Sequence, residues 1–375
     1  MDWNALREEF PITRNYNFQN HAAAGPLSRR AADAARHYVN HAEENSYVRG
    51  GFLKHVETVR GQCAELVGAN VDEIAFTKNT SEGISFVANG LHWQTGDNVV
   101  ITNVEFPANV YPWQALRARG VDVRMVLEED GRIPLERLSE SIDSRTRVVS
   151  ISSVQFASGF RTDLATLGEF CQSKGVLLCV DAIQSLGAFP IDVRAMGIDF
   201  LAGNSQKWLC AAEGAGLFFI RKELQGHLQP TTIGWLSMKD PFNFGRYQFE
   251  FQNSARRYEA GTYNMPGIFA LGGAVGLTLE IGLEAIAGRL LQLTNRLTAG
   301  LREKGYRVIS SRTAAEASGI VAFVSDVHDH EKVQAHLEAE HRIIIALRCG
   351  RLRASPHFYN TEREIDQLIE ALPKH

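Results

Sequence analysis

Asp181 and Lys207 are the two residues of this chain whose types and spacing could do chemistry together. The apolar run Leu177 to Val180 ends in the acid, and a shorter run, Phe200 to Gly203, leads through Asn204, Ser205 and Gln206 into the lysine. Both runs read as buried strands. Ligands of an open α/β sheet lie beyond the carboxyl ends of its strands, so the two side chains are expected at one crevice. Either residue alone has an ordinary reading, the acid as a helix cap and the lysine as a solvated charge. Together they fit cofactor chemistry, because a lysine forms a Schiff base with a carbonyl and a carboxylate keeps a pyridinium nitrogen protonated. Pyridoxal 5′-phosphate (PLP) requires that pair.

The surrounding residues point the same way. Ala182 leaves room for a ring, the Gln184 amide could bond a phenolic oxygen, and Asn204 and Gln206 are polar groups suited to a phosphate. D-x-x-Q followed by x-x-Q-K-W resembles the PLP core of the class V aminotransferases, a superfamily that includes cysteine desulfurases, kynureninase and isopenicillin N epimerase-like enzymes. The resemblance implies an α/β chain of PLP fold type I. Its large domain would hold a mixed, mostly parallel seven-stranded sheet flanked by helices, beside a smaller C-terminal α/β domain. The expected division is 16–265 for the large domain, with 1–15 and 266–375 forming the small domain and its connecting helix.

Further motifs lie at strand ends. After the strand at 74–77, Thr80 or Ser81 starts a helix, and a helix start offers free N–H groups to an anion. Alone this is a good N-cap; beside Lys207 it resembles the family's phosphate loop, which makes Asn79, Thr80 and Ser81 phosphate candidates. In NVEFPANVYPW the family carries an aromatic residue lying on the cofactor ring, here Phe106, which can stack but cannot titrate. Acid–base work then falls on Lys207 or another group. After the strand at 147–152, relatives place a polar side chain beside the cofactor hydroxyl or the substrate carboxylate, and Gln155 is the candidate. YNFQNHAAAGP resembles the N-terminal strand and alanine-rich turn that lie against the substrate. His21 is either a substrate neighbour there or a loop histidine bonded to backbone. YEAGT resembles the segment whose threonine, here Thr262, reaches the phosphate of a neighbouring subunit, which implies a homodimer. In R-L-R-x-S the resemblance assigns Arg353 to the substrate carboxylate through a bidentate fork; taken alone, Arg348, Arg351 and Arg353 read as solvated charges.

Composition bounds the partners. A chain of 375 residues can bury one large core and a smaller one, and a net charge of −4 gives no basic excess for nucleic acid. No run of about 18 apolar residues suggests a membrane span, no signal segment is evident, and the expected location is cytoplasmic. Five cysteines without metal-type spacing read as free thiols. No metal site is expected, and GxGxxG and P-loop patterns are missing. The expectation is therefore a PLP-dependent enzyme acting on a small amino acid by α-carbanion chemistry. Transamination, C–S lysis of cysteine or cystine, and epimerisation stay open as outcomes. A non-catalytic PLP-binding regulatory scaffold is the reading from another class. Cys349 is expected fixed on a strand or tight turn, which argues against a persulfide-forming desulfurase.

Overall fold

A computed structural model describes residues 1–374. Eight strands come first in the chain: β1 Asn17–Phe18, β2 Ile74–Thr77, β3 Asn98–Thr102, β4 Asp122–Val126, β5 Thr146–Ser152, β6 Leu177–Asp181, β7 Phe200–Asn204 and β8 Gly216–Ile220. The last seven form one sheet in the order β2-β8-β7-β6-β5-β3-β4. Only β8 runs against its neighbours β2 and β7; the remaining pairs are parallel. The strands are apolar along their length because both faces are covered. Val100, Val149, Leu178, Val180 and Phe219 face a core shared with helices Phe52–Val67, Leu164–Lys174 and Met265–Ile281. Val99, Ile101, Val148, Phe200 and Phe218 face another shared with helix Thr80–Gly90. With six strands pointing one way, their carboxyl ends share one edge, and the candidate residues lie on or just beyond it.

The C-terminal unit is a second layer with its own core, in which Leu293, Leu297 and Leu301 of helix Leu283–Glu303 meet Phe323, Leu352 and Leu368. Its strands are β9 Arg307–Val308, β10 Val321–Val324, β11 Ile343–Ile344, β12 Ala346–Arg348 and β13 Arg351–Ala354, of which β12-β13-β10-β9 form an antiparallel sheet. The apolar run at 343–347 does not form one continuous strand. Arg342 adopts a left-handed φ of 53° as the cap of helix His330–His341, β11 then pairs in parallel with β1, and β12 begins a separate hairpin. The N-terminal strand is thereby stitched to the C-terminal unit just before the alanine-rich turn. Among the described residues no single helix is long and apolar enough to cross a membrane. The apolar helix Met265–Ile281 packs instead against helices Arg29–Asn45 and Phe52–Val67.

Candidate active site

Five strand ends, the alanine-rich turn and the β12–β13 hairpin converge on a cavity of about 260 Å³. Asn79, Thr80 and Ser81 line it from beyond β2, Phe106 and Ala108 from beyond β3, and Phe156 from beyond β5. Asp181 and Ile183 follow β6, Asn204, Gln206 and Lys207 follow β7, and Arg348 and Arg353 reach in from the small domain. A cavity at the small end of ligand sites would be filled by a compact cofactor and a small substrate.

Local geometry fixes each side chain. Asn79 caps helix Thr80–Gly90, its Oδ1 accepting from Glu82 N–H at 2.9 Å, so the first turn presents its free N–H groups to the cavity. The Asp181 Oδ1 accepts from Ile183 N–H at 3.0 Å, whereas Oδ2 is buried without a partner. Asn204 Oδ1 accepts from Ser205 N–H at 3.0 Å, which turns the chain towards Lys207. Gly25 permits the alanine-rich turn to press on the lysine loop: a Cβ there would lie 2.2 Å from the Lys207 carbonyl oxygen. The Lys207 amine sits 5.4 Å from the centre of the Phe106 ring.

The electrostatics suit a site that exchanges protons and holds anions. Burial pulls the Lys207 amine down from its ordinary value, with Asp181 opposing and Arg353 and Arg348 assisting. Burial likewise pushes the Asp181 carboxyl up, against the Ile183 N–H and Lys207. Arg353 is also lowered, by burial and then by the Arg348 cation, to about 9. Its Nη1 donates to the Phe156 carbonyl at 2.6 Å, while Nε and Nη2 are buried and unpartnered. A buried cation with two idle N–H groups beside a second cation is complementary to a carboxylate.

Not every expected residue reaches the cavity. Gln184 is buried behind it, its Oε1 accepting from Trp208 Nε1 at 2.9 Å and its Nε2 donating to the Ala22 carbonyl at 3.0 Å. These bonds brace the lysine loop and the alanine-rich turn. His21 is fully buried between the Ser355 carbonyl, 2.9 Å from Nδ1, and the Tyr359 hydroxyl, 2.8 Å from Nε2. The carbonyl can only accept, so Nδ1 carries the hydrogen. Burial and the neighbouring His357 keep the ring well below the ordinary imidazole value, hence neutral. Gln155 is also buried and gives its Nε2 to the Glu105 carboxylate at 2.7 Å. None of these three lines the cavity, and His21 matches the alternative of a histidine bonded to backbone. Thr262 lines a separate cleft of about 550 Å³ with Phe76, Lys78 and Tyr263. Conversely, Phe156 and Arg348 line the site without having been singled out for it. Of the three clustered arginines, Arg351 alone is spent on an ion pair, with Glu128 at 3.2 Å. A larger cavity, about 800 Å³, lies in the aromatic segment 235–250, and none of its lining residues has a buried polar atom without a partner.

The orphaned polar atoms test whether PLP fits. Asp181 Oδ2 stands ready for a ring N–H, Thr80 Oγ1 lies at the helix start where a phosphate binds, and Gln206 Oε1 and the Arg353 N–H groups complete a polar rim. The fold and this donor set define a fold-type-I PLP site. The chain belongs to the aminotransferase class-V family, which it matches over residues 18–368. It is 31% identical to a probable cysteine desulfurase of Methanothermobacter thermautotrophicus, covering 98% of this chain and 96% of the relative. The solved apo cysteine desulfurase of Thermococcus onnurineus NA1 superposes with a TM-score of 0.90 at 26% identity, over 98% of this chain and 96% of that one. A C-DES variant with glycine covalently linked to its PLP cofactor also superposes with a TM-score of 0.90, at 25% identity over 97% and 98% of the two chains. C-DES is described, in a complex with cysteine persulfide, as a cystine C–S lyase. The protein is a PLP-dependent enzyme of this family.

Proposed function

We propose that the enzyme cleaves the C–S bond of cysteine or cystine and releases the sulfur directly, without passing it to a thiol of its own. The observation that carries this reading is the turn at Cys349. Strands β12 and β13 are joined by Cys349 and Gly350 alone, with φ of 50° and 73°, and Arg348 pairs with Arg351 across the hairpin. Two left-handed residues are what a two-residue hairpin turn demands. A thiol built into such a turn lacks the slack to travel to a substrate sulfur and away again. The relative described as a cystine C–S lyase supports the same reading.

PLP, when bound, supplies the electron sink that makes the substrate α-carbon acidic. Asp181 Oδ2 would keep the ring nitrogen protonated, and Phe106 would stack on the ring and exclude water. Thr80, Ser81 and the first-turn N–H groups would hold the phosphate. Arg353 offers Nε and Nη2 to the substrate α-carboxylate, and Arg348 meets a second anionic group such as the distal carboxylate of cystine. Lys207 Nζ, which burial favours in its neutral form, would take the α-proton, and the electron pair left behind would expel the β-sulfur as hydrosulfide from cysteine or as the persulfide anion from cystine. With one water added, cysteine gives pyruvate, ammonia and sulfide, and cystine gives pyruvate, ammonia and cysteine persulfide. Epimerisation and transamination share the proton step and part from it afterwards.

The same proposal includes a homodimer in which Thr262 of a second copy reaches the phosphate. It is supported by Thr262 lining a cleft separate from its own chain's Lys207 cavity, and by the exposed aromatics Trp235, Phe242, Phe244, Tyr247 and Phe249 nearby in sequence. The experiment is product analysis of the holoenzyme with L-cysteine and with L-cystine. Pyruvate is expected; alanine together with a persulfide on Cys349 would overturn the reading.

A further inference from the structure

Glu105 is buried and its carboxylate collects five donors: Thr102 Oγ1 at 3.0 Å, Asn109 Nδ2 at 2.8 Å, Ser152 N–H at 3.1 Å, Ser152 Oγ at 2.5 Å and Gln155 Nε2 at 2.7 Å. A carboxylate so enclosed is a rigid anchor, since each charge-assisted bond holds its donor more firmly than a neutral one. Four of the donors belong to β3, β5 and the turn after β3. The fifth, Gln155, comes from the loop after β5. That loop is closed on itself, with Gln155 N–H donating to the Phe160 carbonyl and Gly159 N–H to the Gln155 carbonyl, each at 2.8 Å. The Glu105–Gln155 bond is thus the side-chain tie between this closed loop and the strand edge.

The loop has two products at the cavity. The Phe156 ring stands edge-on to Phe106 at 5.2 Å, and the Phe156 carbonyl accepts Arg353 Nη1 at 2.6 Å. With Nη1 engaged there, the guanidinium plane is set and Nε and Nη2 remain for a ligand. Arg353 itself comes from β13 in the small domain, so the carbonyl is the contact through which the large domain aims it.

We propose that Gln155 is a positioning residue for substrate recognition: tied to Glu105, it fixes the Phe156 carbonyl, which orients Arg353 towards the substrate carboxylate. The inference rests on the reading of Arg353 as the carboxylate holder, and the test separates the two. Glycine binding to the PLP-loaded protein is measured by calorimetry for wild type, Gln155→Leu, Arg353→Gln and the double variant, with thermal melts of all four. Gln155→Leu is expected to keep the holoprotein spectrum and to raise the glycine Kd about tenfold, the weight of one hydrogen bond to a charged group. For cysteine, KM should rise similarly with kcat little changed. In the Arg353→Gln background the Gln155 substitution should have no further effect, the coupling that a general loosening would not produce. Gln155→Met, of similar length and unbranched, serves if the leucine variant does not fold. An unchanged Kd in the folded Gln155 variant, or additive effects in the double variant, overturns the inference while leaving Arg353 in its role. An unchanged Kd in Arg353→Gln overturns the underlying reading.

Discussion

The cavity and the wall behind it are built from the same residue types, and their difference lies in which polar atoms are already used. On the cavity side, Asp181 Oδ2, Thr80 Oγ1, Gln206 Oε1 and two Arg353 N–H groups are buried with no partner. In the wall, Gln184 and His21 have bonds at both ends, and Glu105 is saturated. Gln155 lies between the two cases, with Nε2 bonded and Oε1 unpartnered. An unpaired buried polar group is costly to the fold alone, and it persists where a ligand will satisfy it. Satisfied groups define position; unsatisfied ones define recognition. The D-x-x-Q motif straddles the boundary, its acid facing the cavity and its glutamine locked to Trp208 and Ala22.

Substitutions on the two sides should therefore fail in different ways. Asp181→Asn keeps size and much of the hydrogen bonding but removes the charge that, on the proposed mechanism, keeps the ring nitrogen protonated. Turnover should fall about a thousandfold, within the range of a general acid–base contribution, with a melting temperature at or above that of wild type. A large loss of stability would erase the distinction. Gln184→Leu should do the opposite: it strands the Trp208 indole N–H and loses the Ala22 bond, costing about 1–3 kcal/mol in chemical denaturation. In the fraction that stays folded, turnover should move by less than the Asp181 variant moves it. If turnover collapses without a change in stability, Gln184 touches the chemistry after all. Asn79→Ala sharpens the boundary, because its Oδ1 is spent on a cap while the residue also lines the cavity. The expected cost is about 1 kcal/mol of stability, with PLP affinity measured by equilibrium dialysis only modestly weakened.

Much of the site was legible in the sequence because motifs at strand ends record position along the chain. Strands β6 and β7 fall where the apolar runs put them, and Lys207, Asp181, Phe106 and the 79–81 turn meet at one cavity. What could not be read is what depends on contacts distant in sequence. The Arg353–Phe156 bond joins residues 197 apart, and nothing local to FASG marks its carbonyl as a docking point for a guanidinium. Arg348 was hidden among three arginines of which one, Arg351, is indeed an ordinary ion-pair residue. His21 looked available as a loop histidine next to the substrate turn, yet the pairing of β1 with β11 carries it under the 355–359 segment, where both ring nitrogens are taken. The broken strand at 343–348 has a similar origin: a continuous apolar run serves two different partners.

The central claim is that Lys207 is the residue to which the cofactor is joined and from which the proton chemistry proceeds. The direct measurement is borohydride reduction of the PLP-loaded protein followed by peptide mass mapping. The account predicts a bleached visible band and one reduced pyridoxyl adduct, on the peptide containing Lys207, that is absent from Lys207→Ala. An adduct on any other lysine, or a protein that takes up PLP without forming a reducible bond, would contradict it.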